Sequence, residues 1–270
     1  MANRGAMLSE KEKWFFDHHG YIILKDVVVK EDITRMIELG DRWHEMTLEE
    51  LPPPLTSTAL SNPKASPTLA RWINHVHYAD ETFQRLVLNR QIMRVILAFT
   101  RQNPCLVDTA LTKNYRTSDE INFHAAGRDY QVEDGAPYAG FLNAAISLVD
   151  VPAGTGFVCL PGSHKRNFEL PDSVSIHDGP PTVVNVPVQA GDCVIFTEAL
   201  YHGAKAWTEK YPRMTVFNRY IGEGSHGSLP IEDQRNLIPE EIYDLEQAAV
   251  PGQRKKVVDR LLRDLAANAA

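Results

Sequence analysis

Apolar residues recur at helical spacing through the first hundred positions of the sequence. This spacing predicts helices over residues 9–18, 30–46 and 81–99, and an apolar, β-branched run predicts a strand over residues 21–28. Ser9 lies three residues before Glu12, the spacing of a capping box, so the first helix is expected to begin there. The N-terminal part, residues 8–100, is therefore expected to be mainly helical.

The hydrophobic period changes after this part, and the sequence predicts a β-rich core over residues 106–220. Apolar or alternating runs span residues 106–115, 119–125, 138–150, 155–160, 182–188, 192–197 and 213–220. Turn sequences such as Pro161-Gly162-Ser163 separate them at the spacing expected of a jelly roll. Helical patterning returns over residues 239–266. We find no internal repeat or interdomain linker, so residues 1–270 are expected to form a single domain.

Residues 51–67 form the longest predicted irregular segment. Its composition shifts to Pro, Ser, Thr and Asn, with Pro52, Pro53 and Pro54 in a row. Long loops without secondary structure often cover binding sites, so this segment is a candidate lid.

Composition and charge exclude several classes of protein. The 28 Lys and Arg residues against 35 Asp and Glu residues give a net charge of −7, which argues against a general nucleic-acid binder. The longest uncharged stretch, residues 135–149, contains Asn143 and Ser147 and is too short to cross a membrane. The first thirteen residues lack an apolar signal core, so a cytoplasmic location is expected. The three cysteines, Cys105, Cys159 and Cys193, are an odd number and are expected to be reduced core residues.

Two of the ten histidines follow strand-like runs and are candidate metal ligands. His124 ends the run that begins at Ile121, and His202 comes a few residues after the run 193–196. Two neutral imidazoles on a rigid β scaffold could bind a first-row metal. The remaining histidines lie in helices, polar loops or unassigned segments and are expected to be structural or exposed.

Several segments of the β core carry a family resemblance. They are residues 145–152 (AISLVDVP), Gly154, residues 160–165 (LPGSHK), residues 191–196 (GDCVIF), His202-Gly203 and Pro212-Arg213. Together they resemble the phytanoyl-CoA dioxygenase family, whose members use iron(II), 2-oxoglutarate and O2, and the resemblance covers roughly residues 10–225.

The resemblance implies a mainly β fold with flanking helices, built on a double-stranded β-helix of the jelly-roll, cupin-like type. It also implies that His124 and His202 are the proximal and distal iron ligands. Arg213, eleven residues after His202, matches the arginine that pairs with the distal carboxylate of 2-oxoglutarate. A guanidinium suits this role because it can bind a carboxylate through two parallel hydrogen bonds.

The sequence departs from the family pattern at one position. The family has His-x-Asp, which supplies the carboxylate ligand, whereas this sequence has His124-Ala125-Ala126. Related iron halogenases carry the same replacement by Ala or Gly, and chloride fills the vacated position and restores the lost negative charge. The resemblance therefore implies a chlorinase that acts on an unactivated C–H bond of a free small-molecule metabolite, with chloride at the position that Ala126 leaves open.

The sequence also allows other interpretations of the metal site. Glu198, Asp129 or water could replace the missing ligand, which would make the protein a hydroxylase or desaturase. The site could also be redox-inactive and serve only to bind a ligand, or Ala126 could be an engineered substitution. Asn122 could orient the substrate or the oxo group, and Glu198 could contact the substrate instead of the metal. The basic residues Lys165, Arg166, Arg219 and Arg71 could bind a phosphate, which makes a nucleotide a candidate substrate. The oligomeric state is left open.

Overall fold

The computed structural model describes residues 7–57, 71–116, 120–126, 129–222, 231–247 and 251–267. Within these ranges the helices are α1 (Glu10–His19), α2 (Lys30–Glu45), α3 (Glu81–Val87), α4 (Arg90–Phe99), α5 (Glu240–Leu245) and α6 (Pro251–Ala267). Short 3-10 helices span Val76–Tyr78, Ser163–Lys165 and Glu232–Leu237. The strands are β1 (Tyr21–Leu24), β2 (Thr56–Ser57), β3 (Arg71–Asn74), β4 (Cys105–Asn114), β5 (Ile121–His124), β6 (Tyr130–Glu133), β7 (Ala136–Ala139), β8 (Phe141–Ser147), β9 (Gly156–Cys159), β10 (Val184–Asn185), β11 (Cys193–Thr197), β12 (His202–Lys205) and β13 (Arg213–Ile221).

Helix α1 begins and ends as the local sequence dictates. The Ser9 hydroxyl accepts a hydrogen bond from the Glu12 backbone N–H, and the Glu12 carboxylate accepts one from the Ser9 N–H at 2.9 Å, so the predicted capping box is confirmed. The helix ends at Gly20, whose φ of 81° is left-handed. A Cβ there would lie 2.6 Å from Nδ1 of His164, so only glycine fits this turn.

The predicted helix over residues 81–99 is wrong in one respect, because it is divided into α3 and α4. The Asn89 side chain accepts hydrogen bonds from the backbone N–H groups of Gln91 and Ile92, at 3.0 and 3.3 Å, and so caps a new helix. The apolar spacing continues through this break, which is why periodicity alone did not find it. In the predicted irregular segment, Thr56–Ser57 form the short strand β2, and residues 58–67 of the candidate lid lie outside the described residues.

The strands form two main antiparallel sheets. The larger has the order β1-β11-β8-β13-β4-β3-β2, the smaller has the order β10-β9-β12-β5, and β6 and β7 form a separate hairpin. All seven predicted runs contain a strand of these sheets, but the sequence did not predict β3, β6 or β12. Each of these three strands has two polar or charged residues among its four positions, and pairing with a neighbouring strand holds it in place.

Alternation along the strands separates the core from a cavity. On β13, Met214, Val216 and Tyr220 pack into the main hydrophobic core together with residues of the helices. The alternate residues of this strand, Arg213, Thr215, Phe217 and Arg219, face a cavity that side chains of both sheets line. Because successive residues point to opposite faces of a sheet, each central strand contributes to both regions. The predicted mainly β fold with a jelly-roll core and flanking helices is therefore confirmed.

The structure also bears on the predictions about the cysteines and about membrane-spanning segments. Cys105, Cys159 and Cys193 are all buried with free thiols, as expected for core residues. Among the helices in the described ranges, none is both long enough and apolar enough to cross a membrane. The interpretation of residues 1–270 as one domain stays a prediction.

Candidate metal and cosubstrate site

The cavity between the two sheets encloses about 170 Å³ and contains most of the predicted site residues. His124, Glu198, His202 and Arg213 are all among its lining residues. Its walls are otherwise largely apolar, formed by side chains such as Phe157, Phe196 and Phe217 and by several valines. An apolar cavity with a few convergent polar groups is the usual form of a ligand site.

His124 and His202 lie opposite each other on neighbouring strands of the smaller sheet. They are direct partners in the antiparallel register of β5 and β12, and their ring centroids are 4.2 Å apart. A β-bulge follows, because three residue steps on β5, from Ile121 to His124, match two on β12, from Ala204 to His202. Bulges of this kind re-aim side chains next to active sites. The local backbone therefore brings the two imidazoles together.

Each imidazole is oriented by a backbone carbonyl two residues earlier in the chain. Nδ1 of His124 contacts the carbonyl oxygen of Asn122 at 3.1 Å, and Nδ1 of His202 contacts that of Leu200 at 2.8 Å. A carbonyl can only accept, so Nδ1 carries the hydrogen in both neutral rings. This leaves the Nε2 lone pair of each ring available, which is the arrangement that metal-binding histidines use.

The surroundings of His202 favour its neutral form. Burial lowers the pKa of His202, the Glu198 carboxylate partly opposes this effect, and the neighbouring His124 lowers the pKa further. A histidine must be neutral to bind a metal. The site therefore holds His202 in the required protonation state at neutral pH.

Gly203 allows the two strands to approach this closely. A Cβ at Gly203 would lie 2.4 Å from the carbonyl oxygen of Ile121 and 3.2 Å from the carbonyl carbon of Asn122. Both are backbone atoms, which cannot move aside without shifting β5. The glycine that follows His202 is thus a packing requirement of the histidine pair.

Arg213 lies at the start of β13 with its side chain directed into the cavity. Its Nε is buried without a hydrogen-bond partner, and burial lowers its pKa to about 10, so the guanidinium stays charged at neutral pH. Gly156, with a φ of 68°, leaves room for it, because a Cβ there would lie 3.2 Å from Nη1 of Arg213. A buried cation without a partner is costly, and an anionic ligand would offset that cost.

Ala126 follows His124 in the loop after β5 and is exposed. Its backbone N–H donates to the carbonyl oxygen of Glu198 at 2.8 Å. This hydrogen bond fixes the loop beside Glu198, four residues before His202. In the described part of the chain, no group of three His, Cys, Asp or Glu side chains is arranged to hold a metal ion. The two histidines therefore stand without a third protein ligand among these residues.

The two candidate replacement acids lie in different places. The Glu198 carboxylate lines the cavity and accepts a short hydrogen bond from Nδ2 of the buried Asn143. Asp129 is exposed, is not among the residues lining the cavity, and accepts at its backbone carbonyl a hydrogen bond from the Gly140 N–H at 2.7 Å.

Asn122 also differs from its predicted position. Its side chain is exposed and is not part of the cavity wall, so the residue reaches the site through the carbonyl that orients His124. Sequence reasoning did not find Asn143 or Trp72, which both line the cavity. The signal for Asn143 was its polarity within the apolar run 138–150.

Of the four predicted phosphate-binding residues, Lys165, Arg166 and Arg219 are not brought together in one site. Lys165 pairs with Asp17 at 2.7 Å, and Arg166 donates to the carbonyl oxygen of Ala199 at 2.7 Å. Neither lines the cavity. Arg219 does line it, in a short ion pair with Asp108. The side chain of Arg71 lies outside the described part of the structure.

Comparison with known families agrees with this geometry. The profile described as phytanoyl-CoA dioxygenase (PhyH) matches residues 16–215, which is most of the chain. The chain belongs to the phytanoyl-CoA dioxygenase family. No curated protein matches the sequence. The predicted family membership is confirmed, and with it the expectation of an iron- and 2-oxoglutarate-dependent oxygenase at the level of the PhyH family.

Solved structures share the fold of this PhyH-family chain. HygX from Streptomyces hygroscopicus, with nickel and 2-oxoglutarate bound, has a TM-score of 0.66 at 19% identity, over 83% of this chain and 93% of HygX. EctD from S. alaskensis, with 2-oxoglutarate and 5-hydroxyectoine, has a TM-score of 0.62 at 18% identity, over 83% and 79% of the two chains. SnoK, a non-heme alpha ketoglutarate dependent carbocyclase from nogalamycin biosynthesis, has a TM-score of 0.61 at 20% identity, over 84% and 88%. At these identities the likeness shows the fold.

Proposed function

We propose that this PhyH-family protein is an iron(II)- and 2-oxoglutarate-dependent chlorinase that acts on an unactivated C–H bond of a free small molecule. The observation that carries the proposal is the pair His124 and His202 with Ala126 where the family has its acidic ligand. Two histidines and one carboxylate are the usual ligand set of non-heme iron oxygenases. Replacement of the carboxylate by a methyl group leaves one metal position without a protein anion.

The side chains fit the cofactors in three respects. His124 and His202 would hold iron(II) through Nε2, since their Nδ1 atoms are engaged by backbone carbonyls. Arg213 would bind the distal carboxylate of 2-oxoglutarate, because its side chain lines the cavity and its buried Nε has no hydrogen-bond partner among the described residues. Chloride would take the position beside Ala126. Iron(II), 2-oxoglutarate and O2 together supply the oxidation of an unreactive C–H bond, and bound chloride supplies the atom that is transferred.

The chain itself binds, orients and shields the reactants. Phe196 packs its ring against His202, with 4.7 Å between the ring centroids, and Phe157 packs against Phe196 at 4.9 Å. These apolar rings shield the His202 side of the metal position from water, which strengthens electrostatic interactions there. Arg213 lies on the strand opposite the histidine pair, so the two ends of 2-oxoglutarate would be held by different sheets.

A small-molecule substrate is supported by proteins of similar fold. HygX has been solved with hygromycin B, and the epimerase SnoN in complex with Fe3+, alpha ketoglutarate and nogalamycin RO. The nucleotide suggested by the sequence stays a prediction. The contacts of Lys165 with Asp17 and of Arg166 with Ala199 give it no support.

Hydroxylation is the second candidate function. The observation in its favour is that the Glu198 carboxylate lines the same cavity as His202 and acts on its pKa. If Glu198 or water completed the iron site, no position would be reserved for chloride. A redox-inactive binding module is the third reading. Keeping two oriented histidines and an unpaired buried arginine in one cavity argues against it, because the arginine is costly without a ligand.

An anaerobic titration tests the proposal without knowledge of the substrate. Metal-free protein is titrated with iron(II) and 2-oxoglutarate, and the visible charge-transfer absorption is followed before and after addition of chloride. We expect the absorption to require His202 and Arg213 and to shift or strengthen with chloride. Arg101→Gln, a change far from the cavity, is the matched control for the loss of an arginine. An absorption that forms fully without chloride and ignores it, but changes in Glu198→Ala, would contradict chlorination and favour hydroxylation.

A further inference from the structure

Several charged side chains line the cavity. With the proposed cofactors bound, one of them, Glu198, would have no partner of opposite charge among the described residues. Arg219 is matched by Asp108 in a short ion pair. Under the proposed function, Arg213 forms an ion pair with the distal carboxylate of 2-oxoglutarate. Glu198 alone is left, because within the described part of the chain no Lys, Arg or His lies in an ion pair with it. The cavity therefore presents one uncompensated negative charge to the substrate.

Glu198 is held in place for a ligand by neutral groups. Nδ2 of Asn143 donates to one carboxylate oxygen, Oε1, and Asn143 is itself only 3% exposed. The backbone of Glu198 is fixed by two hydrogen bonds, since its N–H donates to the carbonyl oxygen of Phe141 at 3.0 Å and its own carbonyl accepts from the Ala126 N–H at 2.8 Å. An amide donor fixes the position of a carboxylate without neutralising its charge. Among the described residues, Oε2 of Glu198 has no hydrogen-bond partner, so it is available to a ligand.

The apolar surroundings of Glu198 favour the binding of a ligand of opposite charge. Phe196 and Phe157 form an apolar wall next to His202, and a half-buried carboxylate beside such a wall is poorly solvated. A charge in this setting gains most from a ligand of opposite charge that also donates hydrogen bonds. A protonated amine meets both requirements. A phosphate or carboxylate group would be repelled.

We propose that Glu198 and Asn143 form the subsite for a protonated amino group of the substrate, so that the substrate is a small aliphatic amine. This inference rests on the proposed function, because it assigns Arg213 to 2-oxoglutarate and leaves Glu198 free of iron. Glu198 then acts as a substrate-binding residue, not as the third metal ligand. Its carboxylate accepts hydrogen bonds from the ammonium group, while Asn143 keeps the carboxylate oriented and the apolar walls pack on the carbon chain.

Among the described residues that line the cavity, none offers a comparable site for an anionic substrate once Arg213 is assigned to 2-oxoglutarate. Asp108 already neutralises Arg219, and the Arg219 guanidinium also lies 5.5 Å from the ring centroid of Trp72. A second carboxylate or a phosphate would have to displace Asp108 from this ion pair. An amine requires no such displacement, so charge complementarity favours it over a nucleotide.

Calorimetric titration of the metal-free, full-length protein tests the amine subsite. The probes are n-pentylamine and cadaverine, with N-acetylpentylamine as the matched neutral compound; carboxylates are left out because Arg213 is free to bind them when 2-oxoglutarate is absent. We expect n-pentylamine and cadaverine to bind at least tenfold more tightly than N-acetylpentylamine, because the neutral amide cannot form a hydrogen bond between charged groups with Glu198.

Glu198→Gln keeps the shape of the side chain and removes its charge. We expect this variant to bind n-pentylamine at least tenfold more weakly while it retains the iron(II) affinity of the parent protein. Asn143→Ser, which removes the orienting donor, is expected to weaken amine binding by a smaller factor. Asp129→Asn is the matched control, since Asp129 is the other acid near the histidine pair in sequence and lies off the cavity wall. It should leave the amine affinity unchanged.

The outcomes separate this inference from the proposed function. Equal affinities for n-pentylamine and N-acetylpentylamine, no binding by any of the amines, or unchanged binding in Glu198→Gln would overturn the amine subsite. Loss of iron(II) binding in Glu198→Gln would overturn it too, because Glu198 would then be a metal ligand. The amine titration contains no iron, 2-oxoglutarate or chloride, so its failure would leave the chloride response of the holoenzyme to be judged separately.

Discussion

His124 lies directly opposite His202 across β5 and β12, and Gly203 is the residue that lets the two strands come this close. Gly203→Ala is expected to weaken iron(II) binding at least tenfold and to lower the free energy of unfolding by about 1–3 kcal/mol. The physical reason is that the new Cβ would lie 2.4 Å from the carbonyl oxygen of Ile121 and would force the strands apart. Calorimetric titration with iron(II) under argon and urea unfolding measure the two effects.

Gly179→Ala is the matched control, because a Cβ there would meet nothing within 4 Å. It should leave iron(II) affinity unchanged. If Gly203→Ala bound iron(II) as tightly as the parent protein, the close approach of β5 and β12 would not be what positions the histidines.

Arg213 offers a second test, because its buried Nε has no hydrogen-bond partner among the described residues. Arg213→Gln is expected to weaken 2-oxoglutarate binding by about a hundredfold, since a bidentate, charge-assisted pair is lost. The same change should leave the ligand-free protein as stable as the parent or more stable, because it removes an unpaired buried charge. Calorimetric titration with 2-oxoglutarate and thermal unfolding give the two values.

Arg213→Lys helps to separate charge from geometry. A lysine keeps the charge but cannot form two parallel hydrogen bonds, so an intermediate affinity for 2-oxoglutarate is expected. An arginine that served only to stabilise the fold would give the opposite pattern in Arg213→Gln, with a loss of stability and little change in 2-oxoglutarate affinity.

Much of the architecture was predictable from local patterns. The capping box at Ser9, the strand-like runs of the β core and the two helices at the C-terminus all depend on residues within one turn or one strand. The short strand β12 was not predictable in this way, since His202–Lys205 is held in its sheet by pairing with β9 and β5 on both sides. Tertiary pairing overrides weak local propensity at such positions.

The site was predictable in part for the same reason. The resemblance to the PhyH family drew attention to His124, His202 and Arg213, and all three line the cavity. The partner of Glu198 was not predictable, because Asn143 lies fifty-five residues away in sequence and meets Glu198 only through the pairing of β8 with β11. Side-chain contacts across a sheet depend on register, which a single sequence does not specify.

The ion pair between Glu12 and Arg94 is expected to make the free energy of unfolding depend on pH. Burial alone would raise the pKa of Glu12, but hydrogen bonds from Arg94 and Ser9 outweigh it and lower the pKa from 4.5 to about 2. An acid with a lowered pKa in the folded state stabilises the protein above its unfolded pKa, and this contribution is lost as pH falls from 4.5 to about 2. Glu12→Gln should therefore lower the free energy of unfolding by about 1 kcal/mol at pH 7, a value reduced for solvent screening, and by progressively less below pH 4.5.

Urea unfolding of the metal-free protein between pH 2 and pH 7 measures this difference. Glu10→Gln is the control on the same helix, because Glu10 is 90% exposed and its ion pair is with Lys13 of the same helix. A stability difference between Glu12→Gln and the parent that stayed constant over this range would show that the pKa of Glu12 is not lowered in the folded protein.

Restoring an acidic residue at position 126 is expected to prevent chloride from binding at the metal. Ala126→Asp restores the His-x-Asp pattern and places a carboxylate beside the pair of histidines, where it would compete with chloride for the same metal position. We expect the iron(II)–2-oxoglutarate absorption of this variant to form as before but to lose its response to chloride, with at least a tenfold weaker apparent chloride affinity. Ala126→Gly is the matched control, since glycine also leaves the position open, and it should keep the response. If Ala126→Asp responded to chloride as the parent does, the halide would bind elsewhere. The missing carboxylate would then no longer explain the chemistry, and hydroxylation with Glu198 or water at the iron would become the leading function.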